Sequence, residues 1–239
     1  MTADANDAAV EAFAEVVRRF GEATEPEMQQ NVGMALINMA LRLADLGRTS
    51  EELDTYEQLV TRFADATDPV LSGAVSQALL NKGIRLGEQG RDTEALEAYD
   101  AVIQRCTSDS APELQQQAGI ALVNKGIRLG DLGRTDEELA AYDQAVRRFG
   151  DADDNVLRRQ VAKALLNKGI RLTESGREHE SIEAYDEVIR RFSDAEDQDL
   201  QALVAKALIG KGVQHARMAT PPLDHPSLAD PGVEATPAE

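Results

Sequence analysis

The chain repeats one pattern with a step of 43 residues. Many positions share this step without a gap, so the chain is built from tandem copies of one supersecondary unit that must stack on its neighbours to bury its apolar face. One ladder consists of glycines that each precede an arginine: Gly47, Gly90, Gly133 and Gly176. A second consists of Tyr56, Tyr99, Tyr142 and Tyr185, with Phe13 one step earlier. A third consists of Phe20, Phe63, Cys106, Phe149 and Phe192.

Each copy predicts two helices, which we call A and B. In the second copy helix A runs from about Pro69 to Gln89, and proline is tolerated in a first helical turn. Asp68 precedes that turn as an expected N-cap, as Asp154 does in the fourth copy. Gly90 then supplies the left-handed residue that ends helix A. The prolines at these expected helix starts are Pro26, Pro69 and Pro112.

Helix B follows almost at once. Thr49 with Glu52, and Thr135 with Glu138, have the spacing of a capping box, whereas Asp92 is expected to cap the second copy alone. The apolar residues of this helix recur at helical spacing: Leu96, Tyr99, Val102 and Ile103. The pattern therefore predicts an all-α array of antiparallel helix pairs.

The repeat also sets the expected boundaries. Four units lie at about 26–63, 69–106, 112–149 and 155–192, between a B half unit at 7–20 and an A half unit at 198–217. We expect about eight helices, a short extension at 1–6, and a disordered tail at 218–239, which holds five of the eight prolines. The helical-repeat domain is then 7–217.

The composition favours a helical core and argues against several classes of partner. Aromatic residues make up 4% and there is no Trp, so the core must be built from aliphatic side chains that favour helices. The net charge of −18 argues against binding to nucleic acid or an anionic membrane. A single cysteine, no secretory signal and no apolar run of membrane length predict a cytoplasmic protein. For Cys106 we expect a place in the core.

The segment "ALLNKGIRLGEQGRDTEALEAYDAVI", residues 78–103, resembles the tetratricopeptide repeat (TPR) family. Gly83, Gly90, Ala95 and Tyr99 match its small residue, turn glycine, helix B alanine and aromatic. The step of 43 exceeds the family's usual step of about 34. The resemblance implies a right-handed superhelical solenoid in which the A helices line a concave groove that binds peptides.

One face of helix A is polar in every copy. On a helical wheel, Asn81, Lys82 and Arg85 lie opposite the apolar arc, while Ile84 and Leu86 are expected to help fill the interior. Asparagine can pair with peptide backbone, and arginine with carboxylates. We therefore expect a scaffold that binds a protein or peptide, extended or acidic, through this face; the alternative is a solvated face that records duplication. The candidate binding residues are Asn38, Arg42, Asn81, Lys82, Arg85, Asn124, Lys125, Arg128, Asn167, Lys168 and Arg171.

The half units raise a second possibility. The first helix keeps the internal apolar pattern, through Val10, Phe13 and Val17, so another copy's last helix A could dock there head to tail and form a homo-oligomer. Alternatively these residues pack on the first helix A of their own chain. RNA binding along the basic stripe is a weaker alternative. The three histidines are scattered and there is no phosphate-binding glycine loop, so we expect no enzyme activity, no metal and no cofactor.

Overall fold

The computed structural model describes residues 3–108 and 110–219. Across these residues ten α-helices and no strands are found. The helices are α1 (Ala3–Phe20), α2 (Pro26–Asp45), α3 (Thr49–Phe63), α4 (Pro69–Glu88), α5 (Asp92–Arg105), α6 (Pro112–Asp131), α7 (Thr135–Phe149), α8 (Asn155–Glu174), α9 (Glu178–Phe192) and α10 (Gln198–Ala219). The all-helical prediction is confirmed.

The expected count of eight helices is wrong, because each of the four units forms two helices and each half unit adds one. The unit that begins at Asn155 lacks the proline of the other three. Its first helix is started instead by Asp154, whose Oδ1 accepts a hydrogen bond from the Leu157 backbone at 3.0 Å. Asp68 caps α4 in the same way, at 3.0 Å from Leu71 N. Both predicted aspartate caps are thus confirmed.

The turn between helix A and helix B is made by the repeated glycine. Gly47, Gly90, Gly133 and Gly176 have φ between 68° and 72°, the left-handed region where a Cβ would be strained. The predicted helix-ending role of Gly90 is therefore confirmed. This turn brings helix B back antiparallel to helix A within each unit.

The predicted capping boxes are wrong. Thr49 and Thr135 are the first residues of α3 and α7, and the residues that precede them, Arg48 and Arg134, make no side-chain cap bond. The glutamates of the expected boxes, Glu52 and Glu138, are instead almost fully buried. Their partners lie on the next A helix, as described below.

The helices pack on their neighbours in chain order. The A helices are α2, α4, α6, α8 and α10, and the B helices are α1, α3, α5, α7 and α9. Each A helix contacts the next A helix and the B helices adjacent to it in the chain, whereas, within the described ranges, the backbones of successive B helices are not in direct contact and are linked through arginine side chains. The A helices therefore form one continuous layer, and we call its outer surface the A face.

The core lies between the two layers. The tyrosine ladder is buried, as are Phe63, Cys106, Phe149 and Phe192 of the third ladder. Phe20 at the start of that ladder is 42% exposed, because the described residues place no A helix before α1. Burial raises the pKa of the Cys106 thiol, which fits its expected place in the core.

The expected ends differ from the structure. Helix α1 begins at Ala3, so the expected extension at 1–6 is mostly helical, and Asn6 is a buried residue inside that helix. Alanine-rich sequence at 3–9 favours this earlier start. Helix α10 continues to Ala219, and the remainder of the expected disordered tail, 220–239, lies outside the described residues, as do residues 1 and 2.

Candidate functional site on the A face

The arginines of the expected binding face form ion pairs within the fold. Arg85 Nε lies 2.9 Å from Glu52 Oε2, across the contact between α4 and the preceding helix α3. Arg171 Nε lies 2.5 Å from Glu138 Oε2 in the same arrangement between α8 and α7. A second carboxylate faces each arginine from one turn further along its own helix, at Glu88 and Glu174.

In two other copies the arginine is present without the glutamate of the preceding helix. On α5 the position of Glu52 and Glu138 is occupied by Ala95. Arg128 instead pairs with two aspartates: its Nε lies 3.4 Å from Asp92 Oδ1, and its Nη1 lies 3.2 Å from Asp131 Oδ2. Arg42, whose preceding helix carries Ala9 at that position, pairs with Asp45 of its own helix. The arginine is therefore kept in these four copies, while the carboxylate that it faces differs from copy to copy.

The last copy replaces the ionic pair by a neutral one. Ser181 stands where Glu138 stood and Gln214 where Arg171 stood. Gln214 Nε2 donates to Thr173 Oγ1 at 2.6 Å, and Thr173 Oγ1 lies 2.7 Å from Ser181 Oγ. The last copy thus keeps a polar contact between the two helices, but this contact is a chain of neutral hydrogen bonds rather than an ion pair. Contacts within the fold thus account for the arginine in the three copies where it faces the preceding B helix: Arg85, Arg128 and Arg171.

The carboxylates of these pairs are held in an unfavourable environment for charge. Burial raises the pKa of the Glu52 and Glu138 carboxyls, although Arg85 and Arg171 oppose that effect. Such a pair is needed once one partner is buried, since a lone buried charge is costly. We conclude that Arg85 and Arg171 are already ion-paired with carboxylates of their own chain.

The asparagines lie beside the arginines and are half-buried. Asn81 Oδ1 accepts from Gln77 Nε2 at 2.9 Å, and Asn38 Nδ2 donates to the Met34 carbonyl at 2.7 Å. Asn81 and Asn167 interact with the hydroxyls of the buried Tyr56 and Tyr142. Asn124 occupies the equivalent place on α6.

The structure separates the lysines from the asparagines. Lys82 lines a cavity of about 340 Å³ together with residues of α3 and α5. This cavity opens between two B helices, so Lys82 lies away from the A face. Each lysine of the ladder ion-pairs with the preceding B helix. The partners are Glu57 for Lys82 and Asp100 for Lys125, both at 2.5 Å, Asp143 for Lys168 at 2.6 Å, and Asp186 for Lys211 at 2.5 Å.

This placement corrects the expected binding surface in one respect. Lys82, Lys125 and Lys168 do not share a groove with the asparagines and arginines, because the 100° step between adjacent helical residues turns them to the other side of helix A. Their charge is also matched by carboxylates. The lysines therefore give no support to RNA binding, which needs uncompensated positive charge.

An apolar ladder on the A face was missed by the sequence reading. It consists of one exposed side chain from each A helix: Leu41, Ile84, Ile127, Ile170 and Val213, which are 36–49% exposed. The expected interior place of Ile84 is wrong, whereas Leu86 is fully buried. A helical wheel shows on which side of helix A Ile84 lies, but it does not show whether another helix packs against that side. The signal that could have found the ladder is its repetition every 43 residues beside asparagine.

Two cavities lie along the A face. One of about 220 Å³ lies between α6 and α8, where Ile127, Ile170 and Asn167 line it above Tyr142 of α7. The other, of about 440 Å³, lies between the N-terminal halves of α2, α4 and α6. Its walls include Met34, Val70, Leu114 and Gln117. The A face therefore carries a strip of asparagines and ladder residues along its length, and an apolar cavity between the N-terminal halves of α2, α4 and α6.

The residues expected to mediate self-association divide into two groups. Val10 is buried and Val17 packs on the core of its own chain, as in the alternative expectation. Phe13 is half-exposed and lines a cavity of about 390 Å³ with Val16, Phe20 and Met28. The two valines thus serve the chain's own packing, while Phe13 faces an open groove.

Comparison with known proteins gives a likeness in fold. No protein-family model and no curated protein sequence matches the chain. The chain is similar to the crystal structure of BtubC (BKLC) from P. vanneervenii, with a TM-score of 0.59 and 14% identity over 99% of this chain and 96% of that one. At this identity the likeness concerns fold alone, so the TPR resemblance stays a prediction. A search of the described helices for a segment able to cross a membrane finds none.

Proposed function

We propose that the chain is a non-catalytic scaffold whose A face binds an extended segment of another protein. In this proposal the units form a right-handed superhelix of the TPR kind, with the A face on its concave side. The observation that carries it is the apolar ladder, in which five A helices each expose an aliphatic side chain at the same position.

The ladder is unexplained by the chain's own packing. Its side chains are 36–49% exposed, whereas the neighbouring leucines of the same helices, such as Leu43 and Leu86, are fully buried. A continuous strip of exposed apolar side chains in a folded chain marks an interaction surface more often than scattered ones do. A bound segment would cover this strip.

The spacing of the ladder suits an extended segment. Packed helices lie about 8–10 Å apart, so successive ladder residues are separated by roughly that distance. An extended segment in the polyproline II conformation advances about 3.1 Å per residue with three residues per turn, so every third side chain lies on the same face. Every third residue of a bound segment would therefore meet the next member of the ladder.

The asparagines supply the polar half of the proposed recognition. They lie one helical turn before the ladder residues, and an asparagine amide can both donate to and accept from peptide backbone. The arginines are already paired with carboxylates, and acidic residues such as Glu88 and Glu174 border the strip. We therefore propose a partner rich in aliphatic residues rather than an acidic one.

A selection of random peptides displayed on phage tests this proposal. Peptides selected on the immobilised full chain should carry aliphatic residues at every third position. They should lose binding to the Ile84→Gln, Ile127→Gln, Ile170→Gln triple variant, in which glutamine keeps side-chain length and helix propensity. The matched control, Lys82→Gln, Lys125→Gln and Lys168→Gln, should bind as the parent does. Equal binding to the isoleucine triple variant would overturn the proposal.

A further inference from the structure

The two ends of the array are the two halves of one unit. Among the described residues, α1 aligns with the B helices and follows no A helix, and α10 aligns with the A helices and precedes no B helix. We infer that α10 of one copy docks into the groove between α1 and α2 of a second copy, completing a helix pair and extending the array head to tail. This inference goes beyond the proposed function and does not depend on it.

The first support is a repeated contact between tyrosine and glycine. In the second to fourth units a tyrosine of helix B lies over a glycine of helix A, as Tyr99 does over Gly83 and Tyr185 over Gly169. A Cβ on these glycines would lie 2.7 Å and 2.5 Å from the tyrosine rings, so glycine allows the closest approach; the first unit has Ala40 at this position. The contact fixes the separation of the two helices.

The next glycine in the series has no ring above it. Gly212 of α10 is exposed, and a Cβ built on it would meet nothing within 4 Å. The member of the aromatic series that precedes Tyr56 is Phe13 of α1, which is half-exposed. One end of the chain thus has the glycine without its ring, and the other has the ring without its glycine.

The apolar faces of the two ends correspond as well. Leu208 and Ile209 of α10 are 53% and 68% exposed, whereas their counterparts on α8, Leu165 and Leu166, are each 5% exposed. On α1, Phe20 is 42% exposed although its counterpart Phe63 is 5% exposed. Burial of these side chains would provide the driving force for docking.

The groove beside α1 occupies the place that a preceding A helix fills inside the array. Its cavity of about 390 Å³ is lined by Phe13 and Phe20 of α1 and by Met28 and Met34 of α2. In the next unit the equivalent place is closed by α2, where the Cβ position of Gly33 lies against Leu71 and Phe63. The counterpart of Gly33 on α10 is Ala205, which is small and exposed.

A polar contact between successive B helices also lacks its counterpart at α1. Arg105 Nη1 donates to the carbonyl of Ala64 at 2.8 Å, and Arg191 Nη1 to that of Gly150 at 3.1 Å. An arginine of α5 and of α9 thus reaches the end of the previous B helix, as does Arg148 of α7. The first member of this series is Arg19 of α1, which is 62% exposed. After docking it would face the carbonyl of Ser193 at the end of α9 in the other copy.

Because the interface joins different surfaces on the two copies, it leaves one end of each copy open and propagates. Sedimentation velocity of the full chain over a concentration series tests this. We expect a mass that rises above 25.9 kDa with concentration, and more so in added salt, since a net charge of −18 on each copy opposes association. A mass that stays at one chain at all concentrations, with salt added, would overturn the inference.

Two variants that each block one end identify the interface. Gly212→Leu places a side chain where Phe13 of the other copy would lie, and Phe20→Lys places a charge in the groove, at an exposed position near the end of α1 where a cation suits the helix. Each variant alone should remain a monomer, and an equimolar mixture should form pairs and nothing larger. The control Gly73→Leu, at another glycine with open space, should associate as the parent does. Undiminished association of both single variants would contradict the inference.

Discussion

At the scale of single residues, most of the polar side chains that the sequence presents as binding groups are used to join units. Arg85 and Arg171 each face two carboxylates, and Lys82 faces Glu57 across a helix contact. Residues repeated for this reason look the same in sequence as residues repeated for a ligand. The distinction becomes visible only when the partner positions are compared across copies, as with Ser181 and Gln214.

The pair of Arg171 and Glu138 should respond unequally to truncation. Arg171→Ala leaves a carboxylate that is 4% exposed without its partner, and we expect a loss of about 2–3 kcal/mol in the free energy of unfolding. Glu138→Ala should cost less, because Arg171 keeps Glu174 and some contact with water. Urea unfolding followed by circular dichroism measures both.

The double variant, Arg171→Ala with Glu138→Ala, is the control for this pair. It should be more stable than Arg171→Ala alone, because the buried charge is gone. If Arg171→Ala costs no more than Glu138→Ala, the pair does not join the units in the way described.

The buried tyrosines predict resistance to alkali. Burial raises the pKa of Tyr56 and of Tyr99 to about 12, from an ordinary value near 10. A folded pKa raised above the unfolded value means that the stability from these groups is present below about pH 10 and is lost as the pH rises towards 12. Tyrosinate absorbance of a Tyr142→Phe, Tyr185→Phe variant isolates the two groups, since the chain has four tyrosines and no tryptophan.

We expect the absorbance of that variant to rise together with the loss of helicity. Ionisation near pH 10 in a chain that is still helical would contradict the burial of Tyr56 and Tyr99. Phenylalanine is a suitable replacement because Phe13 already occupies the first position of this series.

At the scale of helices, the contact between helix A and helix B is set by glycine in the second to fourth units. Gly126 of α6 lies under Tyr142, so that an added Cβ would collide with the ring. We expect Gly126→Ala to lower the free energy of unfolding by about 1–3 kcal/mol, although alanine is the better helix former. Thermal unfolding followed by circular dichroism measures the change.

Gly73→Ala of α4 is the matched control for Gly126→Ala. The space around Gly73 is open, so alanine there should raise stability by about 0.5–1 kcal/mol through helix propensity. Similar effects of the two substitutions would show that the tyrosine does not press on helix A.

The sequence predicts where helices begin and end better than it predicts which side chains of different helices contact each other. Prolines, aspartate caps and the turn glycine act within a few residues, so the starts at Pro69 and Asn155 and the turn at Gly90 could be predicted. The local spacing of Glu52 to Thr49 predicts a cap, whereas its actual partner, Arg85, lies on another helix. Which side of helix A faces solvent, as Ile84 does, depends on packing between units, and a single helical wheel does not contain it.

At the scale of the whole molecule, the chain is an array in which each helix contacts near neighbours along the sequence. Such an array has two kinds of unfilled surface: a long strip on one layer and the two ends. The A face exposes an isoleucine or its equivalent from every A helix, and the ends expose Phe20 and Ile209. The two proposals concern these two surfaces separately, so either can fail without the other.

The measurement that tests the central claim most directly is titration calorimetry of one selected peptide against single ladder variants. We expect Ile84→Gln, Ile127→Gln and Ile170→Gln each to weaken binding roughly tenfold, about 1.4 kcal/mol, because each removes one half-exposed aliphatic side chain from the covered strip. Lys125→Gln should leave the affinity unchanged. Losses confined to the lysine variant, or no loss in any isoleucine variant, would contradict the claim that the A face binds its partner through the apolar ladder.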